Sequence, residues 1–303
     1  MEHLTKEPTP PERNPHGAVR QEPCPSGGGE WRAELSLRFA RWQEQTVLVE
    51  RRHKGPLTVQ KALYPEGPGV CHTVIIHPPG GIAGGDCLFL QIDLEPYSQA
   101  VITTPAATKW YKAAGKTSRQ EVVIRLGKGA TLDWLPQENL FFNAANAQSV
   151  FKLEIHPGAS GIGWDMALLG RQAAGERWVT GSLRFLTEIC KPDETPLWIE
   201  QTSLRGGDPL LESLQGLSGY KAMGTLWASG DGCTSELAAE LNSHLPLNTA
   251  LRAGATSLPG GILLLRCLAA EVEDLRQCMA ECWMRLRPII LGLPPQPLRL
   301  WAT

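Results

Sequence analysis

From Trp31 onward the chain consists mainly of short segments in which apolar and polar residues alternate. Residues 31–39 show this most clearly, because every second residue is apolar, from Trp31 through Leu35 to Phe39. A period of two is typical of a half-buried strand. Segments of this kind recur about every ten residues without intervening helical patterns, which favours an antiparallel or coiled all-β body over βαβ units. The predicted strands cover residues 31–39, 46–51, 57–63, 70–76, 87–94, 99–104, 119–126, 130–135, 149–155, 162–169, 179–189 and 196–203.

The pattern changes beyond about residue 206, where helical periods appear. Ser235–Leu245 is predicted to be a short helix and residues 261–268 a buried strand. The clearest helix is Ala270–Leu286, whose apolar residues recur at helical spacing and which Pro288 is expected to end. No linker separates these regions, so residues 31–303 are predicted to form a single β-rich domain with a C-terminal helical flank.

Residues 1–30 have a different composition, with six prolines, a Gly27–Gly29 run and very few large apolar side chains. Such a segment cannot bury enough surface to offset the entropy of ordering it. We therefore expect a disordered tail that is dispensable for folding and for partner binding.

Charge and hydropathy narrow the class of protein. Lys and Arg total 29 and Asp and Glu 31, a net charge of −2, so no basic excess points to nucleic acid or to an anionic membrane. The longest apolar run, Ile262–Leu265, is far too short to span a bilayer, and the N-terminus has no signal-peptide core. The eight cysteines are scattered and form no Cys-x-x-Cys pair. A cytoplasmic location with reduced thiols is expected.

The most unusual segment is His77–Asp86, which reads His-Pro-Pro-Gly-Gly-Ile-Ala-Gly-Gly-Asp. Pro78 favours an extended His77, and Pro79 is itself restricted in φ. Gly80, Gly81, Gly84 and Gly85 permit positive φ or a close approach by another backbone or a ligand. An ionisable side chain stands at each end, which makes this loop a candidate functional element as well as a tight turn.

Two other motifs are weaker. Gly115-Lys116-Thr117 resembles part of a phosphate-binding loop, but the position of the required first glycine holds Trp110. Cys278 and Cys282 lie one helical turn apart on the apolar stripe of their helix, which favours core packing over a metal site. The seven histidines show no metal-binding spacing, so a closed, permanent metal site has no local support.

Three carboxylates, Glu138, Asp165 and Glu176, lie in apolar or glycine-rich surroundings within the β-body. Surface or salt-bridged roles are the default for each. No serine or cysteine stands in a nucleophile motif. A β-rich hydrolase that uses paired carboxylates is the chief alternative function, and a plain β-sandwich binding module is a third.

Several further blocks follow the glycine-rich loop 77–86 along the chain. They are residues 103–112 with Lys109-Trp110-Tyr111, residues 135–138, Trp164-Asp165, Leu169-Gly170-Arg171 with Gly175-Glu176, Arg285–Pro288 and Arg299–Trp301. Together and in this order, the blocks resemble the UreD/UreH family of urease accessory proteins. The chain departs from the family pattern in its proline-rich N-terminal extension and in having Trp110 where Phe is more usual.

The resemblance implies a helically wound, solenoid-like β-sandwich with a few helices. It also implies a non-enzymatic scaffold in nickel metallocentre assembly, with no permanently bound cofactor and nickel only in transit. The implied partners are a UreF-type protein, a UreG-type GTPase and apo-urease, within a dimeric hetero-complex. GTP hydrolysis would then belong to the partner.

The resemblance also suggests which residues act. The loop and partner-binding residues expected from it are His77, Pro78, Pro79, Gly80, Gly81, Gly84, Gly85, Asp86, Lys109, Trp110, Tyr111 and Arg171. The residues expected to guide nickel are His77, Asp86, Glu138, Asp165 and Glu176. Oxygen and imidazole ligands suit an ion that must leave again better than a closed thiolate cage does. Arg171 is expected to pair with Glu176 if that carboxylate is structural.

Overall fold

A computed structural model describes residues 31–246, 248–298 and 301, and the predicted disordered tail therefore lies outside the described residues. The described chain is mainly β, with two α-helices: α1, Ser235–His244, and α2, Val272–Ile290. Its strands are β1 Arg32–Trp42, β2 Gln45–Lys54, β3 Thr58–Val59, β4 Val70–Ile76, β5 Gly81–Ile82, β6 Cys87–Leu94, β7 Gln99–Thr103, β8 Thr108–Trp110, β9 Ser118–Leu126, β10 Thr131–Leu135, β11 Asn139–Phe141, β12 Asn146–Ile155, β13 Ser160–Leu169, β14 Ser182–Cys190, β15 Pro196–Arg205, β16 Ala222–Ser229, β17 Leu251–Leu258 and β18 Ile262–Ala269.

The strands form two sheets whose members alternate along the chain. The first sheet has the order β15-β14-β12-β9-β6-β1-β2, and the second contains β17-β18-β16-β13-β10-β7-β4-β3 together with the short strands β5, β8 and β11. From β6 to β14 each strand of the first sheet is followed by one or two strands of the second, so strands of successive coils pair in parallel within each sheet. This is the solenoid-like sandwich expected from the resemblance.

Two apolar cores hold the architecture together. The first lies between the sheets and contains the inward side chains of β1, Ala33, Leu35, Leu37 and Phe39, as their alternation predicts. The second lies between the outer face of the second sheet and the two helices, where Leu275, Met279 and Leu286 of α2 are buried. Cys278 and Cys282 are buried in the second core, which confirms the packing interpretation of this pair.

Three local expectations were wrong. The helix predicted to end before Pro288 continues to Ile290, because a proline in the last turn removes one donor but keeps a helical φ. The segment 57–63 contains only the two-residue strand β3. The C-terminal third also contains β16 and β17, which the sequence did not indicate; β16 is buried on both faces, so it lacks alternation, and it contains Gly224 beneath α2.

A buried ionic cluster fixes the C-terminal helix to the β-body. Arg287 of α2 is fully buried, and its Nε donates to Oδ2 of Asp133 on β10 at 3.0 Å. Its Nη1 and Nη2 each donate to Glu66 at 2.8 Å, and Nη1 also donates to the carbonyl of Pro294. Trp283 Nε1 donates to the other carboxylate oxygen of Asp133 at 2.7 Å. The guanidinium therefore has its charge and most of its donors satisfied, as burial requires.

Six of the described cysteines, at positions 71, 190, 233, 267, 278 and 282, are free thiols. Neither described helix is long and apolar enough to cross a membrane.

Candidate functional site

The glycine-rich loop connects β4 to β6 and is closed by local hydrogen bonds. The N–H of Gly80 donates to the carbonyl of His77 at 2.9 Å, so Pro78 and Pro79 occupy the middle of a turn. At the other end, Asp86 Oδ2 accepts from the N–H of Ala83 at 2.8 Å. Between the two turns, the chain forms β5, which pairs in parallel with β8 and brings Gly81 opposite Lys109.

The four glycines of the loop serve two different purposes. Gly80 and Gly85 have positive φ, of 73° and 96°. Gly81 and Gly84 are glycine for space instead. A Cβ on Gly81 would lie 2.5 Å from the ring of Tyr111, and one on Gly84 would lie 2.2 Å from the carbonyl oxygen of Ala113. Of the two roles open to these glycines, Gly84 therefore serves the close backbone approach and not positive φ.

Beneath this loop an internal cavity of about 300 Å³ lies between the two sheets. The lining residues that reach the surface and mark its mouth are His77 and Gly80 of the loop together with Lys109 and residues 104–108. Its walls are aromatic and apolar apart from a small number of polar groups. Those inside are Gln120, Gln137, Asn139, Ser149, Asp165, Thr187 and Thr225. An apolar pocket with few polar groups is the usual form of a site for a small ligand.

Asp165 on β13 is the carboxylate that faces the cavity. Protein atoms surround it, and burial raises its pKa to about 6, although hydrogen bonds from Asn139 and from the N–H of Met166 partly oppose that shift. Asn139 Nδ2 donates to Oδ1 of Asp165 at 2.8 Å, and Asn139 Oδ1 accepts from Trp110 Nε1 at 2.9 Å. Asp165 thus retains acceptor capacity toward the cavity, and its charge depends on conditions near neutral pH.

His77 lies at the mouth of the same cavity and is half-buried. Its Nδ1 is buried without a hydrogen-bond partner among the described residues. Burial lowers the pKa of His77, and the charge of Asp86 partly offsets this effect. A neutral imidazole with a free ring nitrogen is the form that binds divalent metals. Asp86 is used by the loop itself and is not among the residues that line the cavity.

The other two predicted carboxylates have basic partners. Glu138 is buried, and its Oε2 lies 3.5 Å from Arg276 Nη1 of α2 without a hydrogen bond. Glu176 receives a bidentate pair from Arg171, at 3.1 and 2.9 Å, and two backbone N–H groups. These bonds, with that from the Arg171 side chain largest, lower the pKa of Glu176. The expected pairing with Arg171 is confirmed.

These placements bear on the hydrolase alternative. Asp165 faces the cavity, whereas Glu138 is directed at Arg276 and Glu176 is engaged by Arg171, and neither of the last two lines the cavity. Of these three carboxylates only Asp165 lines the cavity, so the cavity itself offers no second one of them as a catalytic partner.

Around the mouth, Lys109, Trp110 and Tyr111 have different positions. Lys109 is exposed, Trp110 is fully buried, and the ring of Tyr111 is half-buried against Gly81. Tyr111 also packs edge-on against Phe142, whose other neighbour is the guanidinium of Arg171, 4.5 Å from the ring centre. Trp110 therefore acts through Asn139, while the other side chains are positioned at the surface.

Comparison with known proteins decides the family. The model of the family described as UreD urease accessory protein matches residues 32–302. The chain belongs to the UreD family. It is 51% identical over 279 residues to the urease accessory protein UreD of Ralstonia nicotianae, covering 90% of this chain and 94% of that protein. The corresponding protein of Cupriavidus necator is 50% identical over 276 residues, covering 90% and 95%, and that of Bordetella pertussis 42% over 279 residues, covering 90% and 98%.

Membership of the UreD family agrees with the conformation around Lys116. The segment Gly115–Thr117 lies in a turn after β8 and leads into the strand β9, not into a helix. A phosphate-binding loop needs the N-terminus of a helix directly after the lysine. This UreD chain therefore lacks the geometry of a nucleotide site at that motif.

The side chains of this UreD chain that could bind a metal ion are spread over its described residues. Within the described ranges, no three His, Cys, Asp or Glu side chains are grouped so that they could hold a metal ion. The site residue that the sequence did not reveal is Asn139, which follows Glu138. The pairing of β11 with β13 sets Asn139 opposite Ala167, two residues along β13 from Asp165, so that its side chain reaches that carboxylate. The signal that could have found it is its place beside Leu135–Glu138, one of the blocks that carry the family resemblance.

Proposed function

We propose that this chain is a non-catalytic urease maturation factor whose interior carries nickel toward the urease metallocentre. The observation that supports the proposal most is the cavity beneath the glycine-rich loop, with Asp165 inside it and His77 at its mouth. A carboxylate in a low-dielectric enclosure attracts a divalent cation far more strongly than one in open water.

The chemistry of these two ligands suits an ion in transit. One carboxylate and one imidazole bind nickel less tightly than a complete ligand set would, so the ion is able to leave. Glu138 is the next candidate along the path, because Arg276 is its only close basic neighbour among the described residues. Asp86 and Glu176 contribute by shaping the loops at the mouth, since Asp86 Oδ2 accepts from the N–H of Ala83 and both oxygens of Glu176 accept from Arg171.

The proposed partners are a UreF-type protein, a UreG-type GTPase and the urease apoprotein, assembled as a dimeric hetero-complex. The relatives' name, urease accessory protein, supports the urease apoprotein as a partner. The surface offered to a partner at the mouth includes Lys109, Tyr111 and Arg171, which the packing around Gly81 and Phe142 holds in place. Nucleotide hydrolysis in this assembly belongs to the GTPase, and the cytoplasm is the proposed site of assembly.

The experiment that tests the proposal is co-expression of a urease operon with and without this chain. Nickel per urease active site and ureolysis are measured on the purified urease. We expect urease made without the chain to be assembled but nickel-poor. Urease with a full complement of nickel in the absence of the chain would contradict the proposal.

A further inference from the structure

A row of polar side chains crosses the inner face of the second sheet. Asp165 on β13 is in register with Thr225 on β16, and Thr225 is in register with Arg266 on β18. Each takes an inward position, two residues along its strand from an apolar side chain of the first core, which is Ala167, Trp227 or Leu264. The next residue in register, on the edge strand β17, is Gly254, which has open space where a side chain would be. The row therefore leads from the cavity to the edge of the sheet.

The first sheet carries two polar side chains, Thr187 and Glu200, that face this row from the opposite side. Thr187 on β14 is in register with Glu200 on β15, the edge strand of that sheet. Glu200 takes an inward position between Trp198 and Leu204, both of which belong to the core between the sheets. The Glu200 carboxylate accepts a hydrogen bond from Arg266 Nη2, so one ion pair joins the two sheets across their open edge.

The internal cavity and the open cleft at this edge share part of their walls. Asp165, Thr187, Trp198 and Thr225 line both of them, and Arg266 and Glu200 line only the cleft. The ion pair thus stands between solvent and the polar row that ends at Asp165.

We propose that the Arg266–Glu200 ion pair is a gate at a second opening of the passage, one that a hydrated divalent cation crosses between solvent and Asp165. Closed, the guanidinium blocks the polar row and repels cations. Open, the Glu200 carboxylate is free to accept the cation. A partly exposed ion pair is weak, so the gate opens readily and is sensitive to salt. This proposal rests on the proposed nickel passage.

The test places a reporter thiol behind the gate by the substitution Thr225→Cys in the full chain. The probe is a methanethiosulfonate reagent that carries a trimethylammonium group, and peptide mass spectrometry follows its addition at position 225. Arg266→Gln in this background should raise the labelling rate about fivefold, the factor expected for loss of an exposed ion pair. The reversed pair, Arg266→Glu with Glu200→Arg, should return the rate to that of the parent. Arg125→Gln, which breaks an ion pair with Asp93 and does not line the cleft, is the matched control and should leave the rate unchanged.

The outcomes separate the gate from the passage. An unchanged labelling rate in Arg266→Gln, or a reversed pair that labels as fast as Arg266→Gln, overturns the gate. Asp165→Asn, tested for nickel per urease active site, addresses the passage alone, because this substitution leaves both gate residues in place. Normal nickel in Asp165→Asn would remove the proposed function, whereas low nickel combined with unchanged labelling in Arg266→Gln would remove the gate only.

Discussion

Asn139 Nδ2 donates a hydrogen bond of 2.8 Å to Asp165 Oδ1, and it is the one side chain among the described residues seen to hold that carboxylate. The carbonyl of the same amide is fixed by Trp110 Nε1. Asp165 is thereby oriented by a buried tryptophan that itself never reaches the cavity. These two hydrogen bonds, from Trp110 to Asn139 and from Asn139 to Asp165, connect the family block around Lys109–Tyr111 to a carboxylate on another strand.

The first prediction concerns the cost of keeping Asp165 ionised. Its pKa is raised from 3.8 to about 6, so the folded state binds a proton more tightly than the unfolded state does. The ionised carboxylate therefore destabilises the fold, by about 3 kcal/mol above pH 6, and this penalty disappears below about pH 4. Asp165→Asn should raise the free energy of unfolding at pH 7.5 by up to that amount.

Urea denaturation at pH 7.5, 6 and 4 measures the difference. The gap between Asp165→Asn and the parent should narrow steadily as the pH falls. A gap of the same size at pH 4 and at pH 7.5 would show that the asparagine acts through packing and not through charge.

The second prediction concerns Gly84. Gly84→Val should lower the free energy of unfolding by about 3 kcal/mol, because the new Cβ would meet the carbonyl oxygen of Ala113. Gly80→Ala is the matched control in the same loop, where φ is positive but the space is open. It should cost only the backbone strain of about 1 kcal/mol. Equal stabilities of Gly84→Val and the parent in denaturant titrations would refute the close-approach explanation.

The third prediction concerns the buried ionic cluster. Arg287→Met leaves Asp133 without its cation and Glu66 with His72 as its remaining basic partner, and should destabilise the fold by about 3–5 kcal/mol. Arg177→Met, which breaks an exposed pair with Glu212, should change stability by less than about 1 kcal/mol. Thermal unfolding of both variants compares the two sites. A small loss in Arg287→Met would mean that α2 is held by its apolar face alone.

The fourth prediction concerns nucleotides. The purified chain should not hydrolyse GTP, because Lys116 follows a turn and precedes a strand. Phosphate release is measured on the purified chain and on Lys116→Ala. Turnover of GTP that Lys116→Ala abolishes would contradict the assignment of hydrolysis to a partner.

The sequence predicts the elements whose pattern is local. The alternation in β1 and the apolar stripe of α2 both identify the buried face correctly, since each depends only on the period of the element itself. The short strands β5, β8 and β11 lie in segments that the sequence identified only as motifs. They are strands because they pair with one another, β5 with β8 and β8 with β11. Their register, and with it the contact of Asn139 with Asp165, depends on segments far apart in the chain.

Sequence spacing likewise could not rank the carboxylates. Glu138, Asp165 and Glu176 resemble one another in local context, yet Arg171 engages Glu176 bidentately, whereas Asp165 faces the cavity. The sequence did not identify Arg266 and Glu200 as candidate site residues either, because local context does not show which side chains meet. Their inward direction follows from strand parity, but their contact follows only from the way in which the two sheets meet.

The most direct measurement of the central claim is nickel per urease active site after co-expression with Asp165→Asn. Glu176→Gln is the matched control, because it removes the charge of a carboxylate that binds Arg171 and does not line the cavity. Gel filtration on the same preparations reports whether the accessory complex assembles. We predict that Asp165→Asn assembles normally and yields nickel-poor urease, while Glu176→Gln weakens the complex or the fold. Full nickel loading with Asp165→Asn in an intact complex would contradict a nickel passage through this cavity.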